Sequence, residues 1–281
     1  MEATAIRTIP PEDSARLQRI DGQSSRRWRP PRLLRRAIGP LLFLLLWQVL
    51  CSTGVLDSNV MVEPSTVVST FRQLIGNGEL GSAIGISLKR VAIGALIGIS
   101  LGVIFGSLAG LSRLGEDLID STMQMLRTIP FVAMIPLFIV WFGIGETPKY
   151  ALIALGTMFP VYLNVYAGIR GVDSDLIECA RSLGIRTRTM IPQVVLPAAL
   201  PNFFVGLRFS LGIAWIALIF AEQINTSSGI GFLLNNAEQY GQTNVIVVCL
   251  VTYAVLGLTI DIFVRLLEHR LLAWRPSFGG R

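Results

Sequence analysis

The chain has 281 residues, 52% of them hydrophobic and only 15% charged, where a soluble domain carries about 25% charged residues. That composition excludes an ordinary water-soluble fold and favours a single membrane-embedded, all-α unit. The net charge of +6 does not point to nucleic acid, because the basic residues flank apolar segments and are not interleaved with exposed aromatics.

Residues 1–36 form a polar, basic tail holding nine of the 24 Lys and Arg, too poor in apolar residues to pack a core and read as disordered. A helix needs about 20 apolar residues to cross a hydrocarbon core of roughly 30 Å, and six stretches are read as spans. They are Ala37 to Leu56, Val91 to Leu111, Phe131 to Gly145, Tyr150 to Ile169, Leu196 to Ala221 and Val245 to Val264. The third is short; Met123 to Ile129 extend it, with kinks at Pro130 and Pro136. The polytopic domain thus covers 37–270, and 271–281 is a C-terminal tail.

Lys and Arg near span ends resist translocation, so their distribution orients the chain. With both termini cytoplasmic, 19 basic residues lie inside and four (Arg72, Lys89, Arg90, Lys149) outside. The first span reads as an uncleaved helix, because its basic leader is long and no A-x-A site follows. Cys51, Cys179 and Cys249 form no CxxC pair, and His269 is the one histidine, so no disulfide framework, zinc site or histidine metal cluster is expected.

Three features stand out along the spans. Gly94, Gly98, Gly102, Gly106 and Gly110 place a glycine at every fourth position of the second span, a row that lets another backbone approach in lipid. The row creeps around the helix by about 40° per step, which suggests a crossing partner more than a parallel one. Arg208 falls inside the fifth span, where a charge is costly and a functional candidate. No carboxylate sits at its depth, so it is read either as facing an aqueous path for an anion or as bonded to carbonyls freed by Pro197 and Pro201. The loop from Asp173 to Gly184 predicts a short amphipathic helix at about 173–186, capped by Asp175 with Glu178 as in a capping box and ended by Gly184. Leu176, Ile177, Ala180 and Leu183 share one side of it.

Glu178-Cys179-Ala180, Gly184 and Val194-x-Leu196-Pro197 resemble the EAA motif of permease subunits of ATP-binding cassette importers. Residues from about 40 to 275 are similar to the nitrate/sulfonate/taurine group. The resemblance implies the type I importer permease fold with six transmembrane helices, and it makes the motif helix a coupling helix that docks on a separate ATPase. Glu178 would then contact the ATPase, Ala180 would keep the docking face small, and Gly184 would permit the turn. Cys179 and Val194 depart from the family's Ala and Ile. Also implied are two ATPase subunits carrying ATP and Mg, an extracytoplasmic binding protein, a second permease copy and a place in the cell membrane. The cargo would be a small organic anion, an aliphatic sulfonate, with taurine and nitrate as alternatives. The chain itself has no GxxxxGK[ST] phosphate loop, so no cofactor and no catalysis are expected in it.

An ion-coupled carrier or channel would be expected to show mid-span acids for coupling. A membrane enzyme would need a paired acid or nucleophile constellation, and Asp117 and Asp120 read instead as a solvated loop. The segment from Glu222 to Asn244, with Ser227-Ser-Gly-Ile-Gly, is a candidate gate and docking surface, or a plain re-entrant connection.

Overall fold

The computed structural model describes residues 32–53, 62–223 and 226–272, and among them there are helices and no strands. The predicted disorder of the N-terminal tail falls mostly, and the C-terminal tail almost wholly, outside the described residues. The helices are α1 (Arg32–Ser52), α2 (Pro64–Gly76), α3 (Glu79–Leu111), α4 (Arg113–Leu126), α5 (Phe131–Phe142), α6 (Thr147–Arg170), α7 (Ser174–Ser182), α8 (Thr187–Gln223), α9 (Ile230–Gln239) and α10 (Thr243–Leu271).

Four of these, α3, α6, α8 and α10, are long and apolar enough to cross a membrane, and α4 with α5 makes a fifth if the pair is one span. The expected count of six is therefore not reached among the described residues. At the first predicted span, α1 begins inside the predicted tail, and Arg32, Arg35 and Arg36 occupy its start. Sixteen of its residues follow Arg36, and the end of that predicted span, residues 54–56, lies outside the described residues. The third span also differs from expectation: α4 and α5 meet at 86°. Thr128 to Pro130 stand outside helix there, since Pro130 removes an N–H and disfavours helix in the residue before it.

The core is built on α6, which has 61% of its apolar window buried against 22% for α10. The reason is glycine. A Cβ on Gly94 would meet Ile153, on Gly102 the carbonyl of Met158, on Gly106 that of Tyr162 and on Gly110 the side chain of Ile169, all within 3 Å. Residue numbers rise together on the two helices, so α3 and α6 run in the same direction in contact over the whole row. The expected crossing partner is thus replaced by a parallel one. A repeat of four residues exceeds the helical 3.6, and a partner winding right-handedly stays with such a stripe along its length.

Opposite α3, helix α8 runs antiparallel to α6, with Gly168 against Asn202 and Gly206 against Pro160 and Asn164. It has 37 residues, about 55 Å at 1.5 Å each, and its first turns project past any 30 Å core. A π-turn at Ile191–Val195 lies where Pro197 lacks the N–H that would bond back to Gln193. α10 returns antiparallel to α8, with Val264 packed by Phe204 and Tyr253 by Trp215.

Candidate functional site

At the end of the bundle where α6 stops, α7 stands between α6 and α8. Its N-cap is Asp173, whose side chain accepts from the Asp175 N–H at 3.0 Å. The expected cap, Asp175, instead lies within the first turn, because the chain enters helix one residue after Asp173. Gly184 ends the helix as expected, at φ +76. Its N–H bonds to the Arg181 carbonyl at 2.9 Å and the Ile185 N–H bonds to that of Ala180 at 3.1 Å, the paired bonds of a Schellman ending.

Glu178 and Cys179 are exposed on α7, as are Leu176 at 52% and Leu183 at 75%. Apolar surface is thus left uncovered on this helix. Ala180 is buried, so it faces the chain's own body and the expectation that it shapes the docking face is corrected. Leu196 and Pro197 lie at the junction between the π-turn and the rest of α8, and there Leu196 is exposed.

A polar ladder joins this end to α4. Tyr162 donates to Asp120 and Tyr166 to Glu116, both at 2.7 Å, their rings stacked at 6.1 Å. Arg170, at the last turn of α6, donates to Glu116. Asp117 and Asp120 therefore sit in a helix with a π-turn at Glu116–Asp120, not in a loop, and Asp120 is a hydrogen-bond acceptor.

Arg208 is not alone in its span. Its Nη2 donates to Glu268 at 2.5 Å, and Asp261 Oδ1 lies 3.5 Å from its Nε. Asp261 also accepts from Arg265 at 2.7 Å. The reading of Arg208 as unpaired is thus corrected: its partners are carboxylates on α10 and not the carbonyls near Pro197 and Pro201. The long guanidinium arm reaches across the seam to groups placed lower on the antiparallel neighbour.

At the opposite end of the bundle lies a cluster that sequence reasoning missed. Glu222, wholly buried on α8, takes Arg90 Nη1 at 2.7 Å, Ser87 Oγ at 2.8 Å and the Gly231 N–H at 2.8 Å. Arg90, 2% exposed, also holds Glu146 through two parallel bonds of 2.6 and 2.7 Å and the Ser228 carbonyl at 2.6 Å. Lys149 adds a bond to Glu146 at 2.8 Å and one to Thr226 at 3.1 Å. Two cations and two carboxylates balance, and each fork of Arg90 is used, which is what a buried ion cluster requires. Glu146 stands outside the spans, and the hydrogen bond from Arg90 holds its carboxyl down at about 2.

This cluster explains the Ser-Ser-Gly-Ile-Gly turn. A Cβ on Gly229, which has φ +107, would sit 2.4 Å from a Glu222 oxygen and 2.6 Å from Arg90 Nη1. In the segment after Glu222, Ile230, Leu234 and Ala237 of α9 are buried, while Ser227 and the end around Tyr240, 76% exposed, are open. A usable sequence signal existed in the pairing of Arg90 and Glu222 at the same ends of two spans. Among the described residues no group of side chains could hold a metal ion.

Residues 98–273 match the family model described as the binding-protein-dependent transport system inner membrane component. The chain is 44% identical, over 100% of both chains, to a Bacillus subtilis (strain 168) protein named an aliphatic sulfonates transport permease. It is 46% identical to the Escherichia coli (strain K12) protein of the same name, covering 85% of this chain and 91% of that one. Its fold is similar to that of a chain in the inward-facing methionine ABC transporter, with a TM-score of 0.55 at 20% identity over 66% of this chain and 92% of that one.

Proposed function

Because the chain belongs to the family of binding-protein-dependent transport system inner membrane components, we propose that it forms the membrane pathway of an ATP-binding cassette importer for aliphatic sulfonates. The observation that carries the cargo is the 44% identity along the whole length of both chains to a relative named for it. The chain is a multi-pass membrane protein. It works as one of two permease copies, between two ATPase subunits inside and a solute-binding protein outside. ATP and Mg reside on the ATPase subunits, and this chain hydrolyses nothing.

The 19 to 4 excess of basic residues supports cytoplasmic termini. In that orientation α7 faces the cytoplasm and the Arg90 cluster lies at the outer surface. ATP binding closes the ATPase pair, and α7 is the element it moves: Glu178 offers a charge, and Leu176 and Leu183 offer apolar contact. Arg170, three residues before the Asp173 cap, passes the displacement through Glu116 to the bent helix α4. ATP drives the cycle because the ATPase pair binds it better in one state than in the other.

Reconstitution tests this reading. Proteoliposomes holding the permease and ATPase, with ATP inside and binding protein outside, are expected to take up radiolabelled alkanesulfonate, while omission of either partner abolishes uptake. Uptake by this chain alone would overturn the importer assignment, and uptake of taurine or nitrate but not alkanesulfonate would overturn the cargo. In the same vesicles Glu178→Ala is expected to lower uptake about tenfold, the order set by losing a charge-assisted contact, with its thermal stability unchanged. Uptake at the wild-type level would remove Glu178 from coupling.

A further inference from the structure

The glycines of α3 stand where a Cβ would collide, and two glycines of the α8–α10 seam do the opposite. Around the Cβ positions of Gly212 and Gly257 there is no atom within 4 Å. These residues do not bring helices together, as small residues in membrane spans usually do. They line a cleft of about 300 Å³ between α8 and α10, at the small end of the roughly 300–1,000 Å³ range of ligand pockets.

The cleft is polar at one end and apolar beyond. Arg208 and Asp261 mark the polar end, Leu211 and Ile260 line the walls, and Trp215 lines the cleft seven residues further along α8, about 10 Å from Arg208 at 1.5 Å per residue. Two donors here lack hydrogen-bond partners: Arg208 Nε, from which Asp261 stands off, and Nε1 of Trp215, a side chain 7% exposed. Arg265 and Glu268 complete the charge balance at the polar end, so the site is neutral before an anion enters.

We propose that this cleft is the subsite for the alkyl chain of the cargo, with the sulfonate at Arg208 Nε and the chain lying over Gly212 and Gly257 toward Trp215. The assignment rests on the sulfonate reading above and deepens it by seating the apolar tail of the anion. Taurine would place an ammonium against Leu211 and Ile260 without a partner, and nitrate would leave the cleft unfilled. A lipid acyl chain would fill the walls and leave Arg208 Nε unmet, whereas a sulfonate oxygen accepts from that donor.

The test uses the complete transporter in proteoliposomes and compares Gly212→Leu and Gly257→Leu with wild type across alkanesulfonates from methanesulfonate to hexanesulfonate. The binding protein is the same throughout, so its own preference cancels. The variants are expected to keep methanesulfonate uptake and lose hexanesulfonate uptake about tenfold or more, the scale on which an apolar pocket discriminates methylene groups. Basal ATP hydrolysis at the wild-type rate verifies folding and assembly, and Gly257→Ala is expected to give a graded version of the same shift. An unchanged chain-length profile in active vesicles, or a loss equal at every length, overturns the proposal. So does an unchanged profile with altered lipid retention in native mass spectrometry, which identifies a lipid site. Failure of wild type to carry any sulfonate is a separate outcome and overturns the cargo assignment instead.

Discussion

Arg90→Ala is expected to cost about 3–5 kcal/mol of stability, the penalty for removing one partner from a buried ion pair. The cost comes from what stays behind. Glu222 is wholly buried, and without Arg90 its carboxyl is left with only Ser87 and the Gly231 N–H as donors. Glu146 loses two bonds at once. The cluster joins α3, the start of α6, the end of α8 and the first turn of α9, so the loss loosens four elements together. Thermal unfolding in detergent micelles should show a large fall in Tm. Arg90→Lys should be intermediate or worse, since a single ammonium cannot form the two parallel bonds to Glu146. The pair Arg90→Met with Glu222→Leu should recover part of the loss, because no uncompensated charge is left on Glu222. A Tm for Arg90→Ala equal to wild type would refute a structural role for the cluster.

Gly98→Ala carries the second large effect. Its added Cβ would stand 2.0 Å from Thr157 Oγ1 and 2.2 Å from the Ala154 carbonyl, and a backbone oxygen cannot swing aside. Overpacking of this kind costs about 1–3 kcal/mol or more. The control is Gly85→Ala on the same helix, which meets no atom within 4 Å. There the gain in helix propensity is about 0.5–1 kcal/mol in the opposite direction. Opposite signs for the two substitutions in one melting experiment are the expected result; equal shifts would show that α3 does not pack on α6 through its glycines.

Much of the site was legible because its signals are local. The ending of α7 at Gly184 needs only a residue that accepts a positive φ, and the sequence Leu-Gly-Ile supplies it. The cap was misplaced by two residues, since Asp173 and Asp175 are both competent acceptors and only the path of the incoming chain chooses between them. Ala180 could not be told apart from Leu176 and Leu183, which share its helical face, because burial depends on what stands opposite. Arg208 looked unpaired for a related reason. Its carboxylates lie 53 and 60 residues along the chain, and spacing in sequence carries no information on which residues of antiparallel helices come level.

By itself the sequence determined the membrane environment, the family and the position of the exposed helix: apolar length sets what can cross a bilayer, and a motif of fixed spacing lies within one stretch of chain. Tertiary structure alone decided which helix receives the glycine row, which carboxylates hold Arg208, that Glu222 is the buried centre of an ion cluster, and that Gly212 and Gly257 open a cleft. Each of these is a meeting of residues on different helices, fixed by the direction and register of packing. Glycine shows this most directly, since the same residue type closes one helix seam and leaves another open according to what lies across from it.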